Sequence, residues 1–223
     1  MGNCAYELVV IGTSLGGLYA LQILLSGLPK NLPLAVAIVQ HRHKDSDKSL
    51  SIFLQHYCAL PLTEVEDKDI ILPGRVYLAP PNYHLLVETE PPWQEIQRKE
   101  QGINHTFALS TEAPVCSARP SIDVLFESAA QAYAEKVIGV ILTGASSDGA
   151  EGLATIKAHG GKAIIQDPTT SESQMMPKSA ICKITQQSPK TSLAIDWILQ
   201  LSEIAPMIVN LSHQSLRKDF RTL

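Results

Sequence analysis

Three residues of types that cooperate in nucleophilic catalysis each follow a run of apolar residues in this sequence. They are Ser14, His41 and Asp148, and the runs before them are Leu8–Ile11, Leu34–Val39 and Val137–Leu142. A serine hydroxyl is a poor nucleophile near neutral pH unless a neighbouring base accepts its proton, and a histidine oriented by a carboxylate is such a base. The three residue types predict acyl-transfer chemistry if the fold brings them together.

Ser14 lies in the pattern Gly-x-Ser-x-Gly, which spans residues 12–16 and matches a nucleophile elbow. The glycines permit a sharp turn from a strand into a helix, whose free N–H groups then point at the serine and stabilise an oxyanion. The same pattern also occurs in phosphate-binding turns and in plain tight turns. A dinucleotide-binding turn is disfavoured, because Ser14 occupies the position of the second glycine, which the pyrophosphate needs.

His41 is the best-placed base, but His41 and His43 are also spaced as two imidazole ligands on one strand face. A zinc ion there would need a further ligand, for which His84 and Asp148 are the candidates. Asp148 lies in a glycine-rich loop, where its carboxylate is suited to orienting an imidazole. The alternative for Asp148 is a turn or capping role at a helix that begins at Ala150.

The apolar runs before these residues are typical of buried parallel strands, since they are apolar on both faces. A fourth run, Ala163–Ile165, has the same character. Between the runs lie segments of helical period: one from Leu18 to Pro29, one that follows Ser121 as a natural N-cap, and one over about 150–158. We therefore predict an α/β fold, a doubly wound, mostly parallel sheet between helix layers. Ligands bind beyond the carboxyl ends of such strands, so the three candidates are expected at one edge.

Other parts of the chain depart from this alternation. Short strands broken by Pro73-Gly74 and by Pro80-Pro81-Asn82 indicate an antiparallel hairpin insertion within residues 69–88. Residues 89–118 are polar and irregular, with a strand expected near His105–Leu109. Towards the C-terminus, residues 193–204 have the apolar spacing of a packing helix.

Composition excludes several classes of function. The chain has 223 residues, of which 45% are hydrophobic, and a formal net charge of -4. Its 18 lysines and arginines are spread along the sequence, which argues against a nucleic-acid partner. No apolar stretch approaches the roughly 18 residues of a membrane-spanning helix, and the N-terminus does not resemble a signal peptide. The four cysteines form no CxxC pair, which favours free thiols in a reducing, cytoplasmic compartment.

Six blocks of the sequence occur in an order and at a spacing that point to one family. They are Val9–Gly17, Ile38–His41, Leu72–Pro80 with His84, Arg119–Phe126, Gly139–Gly144 with Asp148–Ala150, and Met176–Lys178. In these blocks the sequence resembles the catalytic domain of CheB-type chemotaxis protein-glutamate methylesterases. The resemblance runs from Val9 to about Ile181. It implies the same doubly wound α/β fold.

The resemblance also implies a reaction, which is the hydrolysis of γ-glutamyl methyl esters on chemoreceptors together with deamidation of particular receptor glutamines. By this resemblance Ser14 is the nucleophile, His41 is the base, and Asp148 orients His41. Backbone N–H groups of Leu15 and of the 144–146 loop, at Ala145, are expected to form the oxyanion hole. No metal and no organic cofactor is implied.

We expect residues 1–223 to form a single catalytic domain without the receiver domain that the family usually carries, because Leu8 already begins the first strand. The partner is expected to be a methyl-accepting chemoreceptor or a related signalling protein, with no nucleic acid and no membrane insertion. Regulation is then expected to come from outside the chain.

Four residues depart from the usual pattern of the family. They are Leu15 in place of a threonine, Arg42 and Ala145 in place of methionines, and Met175 in place of a glycine. Arg42 is expected to add charge at the rim of the site. These departures leave two alternatives open: a catalytically weakened module of the same fold that binds a receptor or signalling partner, and a hydrolase that acts on another ester or amide.

Overall fold

The computed structural model describes residues 5–89, 105–187 and 195–214 of the chain. The strands in these ranges are β1 Leu8–Thr13, β2 Ala35–Gln40, β3 Leu62–Glu64, β4 Val76–Leu78, β5 His84–Thr89, β6 His105–Ser110, β7 Val137–Ile141, β8 Lys162–Gln166 and β9 Trp197–Leu199. The helices are α1 Gly17–Ser26, α2 Ser49–Gln55, α3 Ile122–Tyr133, α4 Ala150–Ala158, α5 Met175–Gln187 and α6 Leu201–Ser212. Short 3-10 turns cover Ala134–Lys136 and Pro168–Thr170.

Seven strands form a parallel sheet in the order β3-β4-β2-β1-β7-β8-β9. Strand β1 lies at the centre of the sheet, paired with β2 on one side and with β7 on the other. The chain first extends the sheet outwards from β1 through β2 and later extends it in the opposite direction through β7. This reversal opens a crevice beyond the carboxyl end of β1, which is where ligands bind in sheets of this kind.

The sheet separates two apolar cores. Alternate residues of β1 point to opposite faces, so Leu8 and Val10 enter one core while Val9 and Ile11 enter the other. Helices α3, α4 and α5 cover the first face, and helices α1 and α6 cover the second. All six residues of β1 and of β2 are buried, because both faces of these strands are covered.

This architecture confirms the predicted fold class. The four predicted strands correspond to β1, β2, β7 and β8, and the three predicted helices correspond to α1, α3 and α4. The helix predicted over 150–158 has these bounds in the structure. Periodicity was sufficient here because each segment is either apolar on both faces or apolar on one helical face.

The hairpin prediction needs a correction. The segment Val76–Leu78 is not part of a hairpin but a parallel strand of the main sheet, where it pairs with both β2 and β3. The antiparallel pair is formed by β5 and β6, which confirms the strand expected near His105–Leu109. The Val87 N–H donates to the Ser128 Oγ at 3.0 Å, so this pair packs on helix α3. Residues 90–104, between these strands, lie outside the described ranges.

The helix predicted over 193–204 is also wrong in its bounds. Trp197–Leu199 is the edge strand β9, and the helix that follows begins only at Leu201. The strand is held by pairing with β8 and by Asp196, which accepts a hydrogen bond from the Ala163 N–H at 2.8 Å. Residues 193 and 194 lie outside the described ranges. Tertiary pairing thus overrides the helical spacing of this segment.

Composition predicts free thiols and no membrane-spanning helix. Cys58, Cys116 and Cys182 are free thiols, and Cys4 lies outside the described ranges. In the part of the chain that the structure describes, no helix is long and apolar enough to cross a bilayer.

The contact between helices α3 and α4 depends on the absence of a side chain at Gly152. A Cβ there would lie 2.5 Å from the Phe126 Cβ and 3.0 Å from the Asp123 carbonyl oxygen. We therefore expect Gly152→Ala to lower the free energy of unfolding by about 1–3 kcal/mol, as measured by urea denaturation, because neither neighbour is a flexible side-chain end. Gln131→Ala, an exposed position on α3, is the control and should change it by less than about 0.5 kcal/mol. Equal stability of the Gly152→Ala variant and the native chain would contradict this packing.

Candidate active site

Ser14 and His41 lie side by side at the carboxyl edge of the sheet. Thr13 and Gln40, which precede them, are partners in the register of β1 and β2, and neighbouring strands lie about 4.8 Å apart. The Ser14 N–H donates to the Thr143 carbonyl at 3.0 Å, and the His41 N–H donates to the Thr13 carbonyl at 3.0 Å. Strand register therefore brings these two predicted residues together.

The side-chain amide of Gln40 ties the two segments to each other. Its Nε2 donates to the carbonyl oxygens of both Ser14 and His41, each at 2.9 Å. A Cβ on Gly17 would come within 2.1 Å of the Gln40 Oε1, so the start of helix α1 packs on Gln40 with no room for a side chain. Gln40 was not among the predicted site residues. The signal in the sequence was a polar residue at the end of an otherwise apolar strand.

The turn after Ser14 is held from the other side by Thr143. The Thr143 hydroxyl donates to the Leu15 carbonyl at 2.9 Å and accepts from the Ser173 N–H at 2.9 Å. Gly16 follows with a φ of +78°, a left-handed conformation that favours glycine, and is the N-cap residue of helix α1. The sharp strand-to-helix turn predicted from the Gly-x-Ser-x-Gly pattern is therefore present.

Leu15 and Ala145 flank this turn on two adjacent loops. Leu15 is 55% exposed, and Ala145 is exposed in the loop that follows β7. Neither main-chain N–H donates a hydrogen bond to any residue that the structure describes. Among the described residues, the N–H groups of Leu15 and Ala145 therefore have no acceptor.

The imidazole of His41 is hydrogen-bonded to Asp148. Its Nε2 lies 2.7 Å from the Asp148 Oδ2, and the exposed fraction is 15% for the histidine side chain and 0% for the aspartate side chain. A carboxylate only accepts hydrogen bonds, so it fixes the tautomer that carries its proton on Nε2. The other ring nitrogen, Nδ1, is then left with a free lone pair.

The carboxylate of Asp148 also sits at the N-terminus of helix α3. Its Oδ2 accepts from the Ile122 N–H at 2.7 Å, and its Oδ1 accepts from the Asp123 N–H at 3.1 Å and from the Ser121 Oγ at 2.8 Å. Burial alone raises the pKa of Asp148, but these bonds and the one from His41 outweigh burial and lower the pKa below its ordinary value. Asp148 is therefore held as a buried anion.

Two helices begin next to Asp148, and neither is capped by the side chain of its own N-cap residue. Asp148 is not the cap of the helix at Ala150, whose N-cap residue is Gly149 with a φ of +93°. Ser121 is the N-cap residue of helix α3 as predicted, but its side chain makes no capping bond and instead donates to Asp148. The carboxylate, brought from a distant loop, takes over the role of the capping oxygen.

A second buried carboxyl, that of Asp123, lies beside Asp148. It accepts from the Gly152 N–H at 2.8 Å, and the Cys116 Sγ lies 3.9 Å from its other oxygen. Burial above all, and the nearby charge of Asp148, raise the pKa of Asp123 to about 7, although the Gly152 N–H acts in the opposite direction. Of the two carboxyls, Asp148 accepts more hydrogen bonds and is held as the anion, whereas burial favours the protonated form of Asp123. Among the described residues, Cys116, Asp123 and Asp148 form the one group that could share a cation, with ligand atoms within 4.8 Å.

The histidines do not converge as the zinc alternative requires. His43 is 75% exposed and faces Asp45 at 3.4 Å. His84 is buried, where its Nδ1 accepts from the Ser121 N–H at 3.2 Å and its Nε2 lies 3.1 Å from a main-chain carbonyl. Both nitrogens of His84 and the Nε2 of His41 are therefore engaged in hydrogen bonds within the protein.

The expectation that Arg42 adds charge at the rim is wrong. Its side chain is 7% exposed and pairs with Glu64 at 2.8 Å, and Glu64 is similarly buried. The same Nη2 donates to the Ala79 carbonyl at 2.9 Å. Arg42 thus joins the segment after β2 to strands β3 and β4, and the carboxylate neutralises its charge.

The chain is similar to known proteins over most of its length. The family model described as CheB methylesterase matches residues 9–208. A protein of Leptospira interrogans named for protein-glutamate methylesterase/protein-glutamine glutaminase is 41% identical over 213 residues, which are 96% of this chain and 98% of that protein. A relative of that name from Nitrosomonas europaea is 36% identical over 208 residues, and the chain spans 52% of its length.

A solved structure is similar in fold as well as in sequence. The crystal structure of the Thermotoga maritima CheB methylesterase catalytic domain superimposes with a TM-score of 0.80 at 32% sequence identity. The match covers 92% of this chain and 98% of that one.

Removing the charge of Asp123 should make stability less sensitive to pH. In the unfolded chain an aspartate ionises near pH 3.9, but the pKa of Asp123 in the folded chain is about 7, so its contribution to folding falls as pH rises between these values. We expect the Tm of Asp123→Asn, measured relative to the Tm of the native chain, to be higher at pH 8 than at pH 5. Asp45→Asn, at a side chain that is 74% exposed, is the control. A Tm difference for Asp123→Asn that is the same at both pH values would contradict a raised pKa.

Proposed function

The chain belongs to the CheB methylesterase family, and on that premise we propose that it is a serine hydrolase that removes methyl esters from γ-glutamyl methyl ester residues of chemoreceptors. Ser14, His41 and Asp148 are its proposed catalytic triad. The observation that carries this proposal is the hydrogen bond between His41 and the buried Asp148, formed next to the strand end at which Ser14 lies.

The proposed reaction begins with attack of the Ser14 Oγ on the ester carbonyl carbon. His41 accepts the serine proton on Nδ1, the ring nitrogen that the bond to Asp148 leaves free. As the tetrahedral intermediate collapses, the same proton passes to the methoxy oxygen, and methanol leaves. Water then attacks the acyl-serine with His41 again as the base, which releases the γ-carboxylate and restores Ser14.

Asp148 is proposed to orient His41 and to stabilise it when it is protonated. The bonds from Ser121, Ile122 and Asp123 support this role, because they lower the pKa of Asp148 and keep it ionised in a buried position. The positive end of the helix dipole at Ile122 acts in the same direction. Histidine needs such a partner because an imidazole that is free to rotate does not keep Nδ1 directed at the nucleophile.

The main-chain N–H groups of Leu15 and Ala145 are proposed as the oxyanion hole. Their lack of acceptors among the described residues and their position on two loops beside Ser14 support this assignment. A well-placed donor of this kind contributes about 3–4 kcal/mol to the transition state. Because main-chain groups supply the donors, the replacement of the usual threonine and methionine by Leu15 and Ala145 leaves them in place.

The same site is proposed to deamidate receptor glutamines. An amide carbonyl is attacked in the same way, and His41 then protonates the leaving nitrogen so that ammonia departs. The proposed chemistry uses no metal ion and no organic cofactor. The name of the Leptospira relative, which joins a methylesterase and a glutaminase activity, supports the two substrates.

Loss of the Ser14 hydroxyl should abolish methyl-ester hydrolysis. We expect Ser14→Ala to lower kcat for methanol release from a methylated chemoreceptor by at least about a thousandfold, because the nucleophile is lost. Ser26→Ala, at the other end of helix α1, is the matched control and should behave like the native chain. An unchanged kcat for methanol release in Ser14→Ala would contradict the proposal.

A fluorophosphonate probe separates the alternatives in the same preparation. Labelling that depends on Ser14 is expected for the esterase. A chain that binds receptor but is not labelled would instead be a binding module. A labelled chain that hydrolyses small esters but releases no methanol from the receptor would be a hydrolase with another substrate.

The charge on Asp148 should be essential for turnover. In Asp148→Asn the neutral amide neither stabilises a protonated His41 nor enforces the tautomer with its proton on Nε2. We expect kcat at pH 7.5 to fall by about 10³- to 10⁴-fold. Thermal unfolding of the variant shows whether it is folded, and a folded Asp148→Asn variant with activity within tenfold of the native chain would refute the role of Asp148.

A further inference from the structure

A cleft of about 420 Å³ opens beside His41, within the range of sites that bind small ligands or a few side chains. Its walls come from the segment after β2 and from the loop before α3. They include His41, Arg42, His43, Lys44, Asn82 and Arg119. None of the described residues that line the cleft is an aspartate or glutamate, although the whole chain has a net charge of -4. The cleft is therefore a local concentration of positive charge next to the proposed base.

Two of its basic side chains already have acidic partners within the protein. Arg42 is neutralised by Glu64 at 2.8 Å, and both side chains are buried. His43 faces Asp45 at 3.4 Å. Neither residue brings an unbalanced positive charge to a ligand.

Arg119 is a fixed charge that has no counterion in the described part of the chain. Its Nη1 donates to the carbonyls of Thr111 and Glu112 at 2.7 and 2.9 Å, and its Nη2 donates to the Asn82 Oδ1 at 2.6 Å. All three acceptors are neutral, and no described carboxylate lies within ion-pair distance of the guanidinium. These bonds hold the guanidinium in place at the wall of the cleft, which Arg119 lines.

Lys44 is the cation of the cleft that is free to contact a ligand. It is exposed, and no described carboxylate lies within ion-pair distance of its Nζ. It lies three residues beyond His41, on the same segment after β2. At an ionic strength of about 0.15 M the Debye length is about 8 Å, so an anion in the cleft feels both Lys44 and Arg119.

We propose that this cleft is the subsite for an acidic side chain of the substrate polypeptide, next to the glutamyl ester that reacts at Ser14. Lys44 contacts the carboxylate, and Arg119 supplies the fixed charge that favours it. The inference rests on the proposed function, since it assumes an ester bound at Ser14. It adds a specificity determinant: esters with acidic neighbours are preferred to esters with neutral ones.

The test compares two synthetic peptides that each carry one γ-glutamyl methyl ester. One has glutamates at the flanking positions, and the other has glutamines there. The neutral ester p-nitrophenyl acetate reports the chemistry without the subsite. The variants are Lys44→Glu and, as a control with the same charge change, Lys30→Glu, an exposed lysine in the turn before β2 at the opposite edge of the sheet.

The native chain and Lys30→Glu are expected to prefer the acidic peptide by about fivefold in kcat/KM at low salt, and this preference should shrink at 0.5 M NaCl. Lys44→Glu should abolish or reverse the preference while hydrolysing p-nitrophenyl acetate within twofold of the native rate. Equal kcat/KM for the two peptides in the native chain, or a preference that survives in Lys44→Glu, overturns the subsite alone. If the native chain hydrolyses none of the three esters, the proposed function is overturned, and the subsite with it.

Discussion

The carboxylate of Asp148 joins three elements that are far apart in the sequence. It comes from the loop after β7, accepts from His41 at the end of β2, and accepts from Ser121, Ile122 and Asp123 at the start of helix α3. A buried carboxylate is tolerated only when its lone pairs are occupied by donors. The geometry of the site and the capping of α3 therefore depend on the same group, so that helix α3 is anchored at the point where His41 must be held.

Charge is distributed around the site in a consistent pattern. Behind His41 lie two carboxyls, but the pKa of Asp123 is raised to about 7 while that of Asp148 is lowered, so the negative charge is concentrated on the residue that contacts the imidazole. On its open side His41 borders a cleft that no described carboxylate lines. Arg42 adds no net charge to this cleft, because Glu64 neutralises it. The remaining positive charge of the cleft belongs to Lys44 and Arg119, which have no ion-pair partner among the described residues.

The sheet supplies the frame on which these groups are ordered. Strands β1, β2 and β8 end in the polar residues Thr13, Gln40 and Gln166, which form hydrogen bonds at the carboxyl edge. Gln40 at the end of β2 holds the carbonyls of Ser14 and His41, and Gln166 at the end of β8 accepts from the Thr143 N–H at 2.9 Å. Hydrogen bonds of this kind between buried groups hold their members in place, which suits a site whose groups must keep their distances.

The amino-acid pattern was enough to predict the layered α/β fold, the strand ends that carry Ser14, His41 and Asp148, and the bounds of helix α4, because hydrophobic period and strand length are local properties. Features that depend on contacts between distant segments emerged only in the folded chain. Val76–Leu78 became a strand of the main sheet and Trp197–Leu199 an edge strand, because each found a pairing partner that periodicity does not reveal. The same holds for polar and charged groups, whose state depends on neighbours brought together from across the chain. Such neighbours decide whether Arg42 is exposed, whether the Ser121 side chain caps its own helix and which carboxyl is ionised.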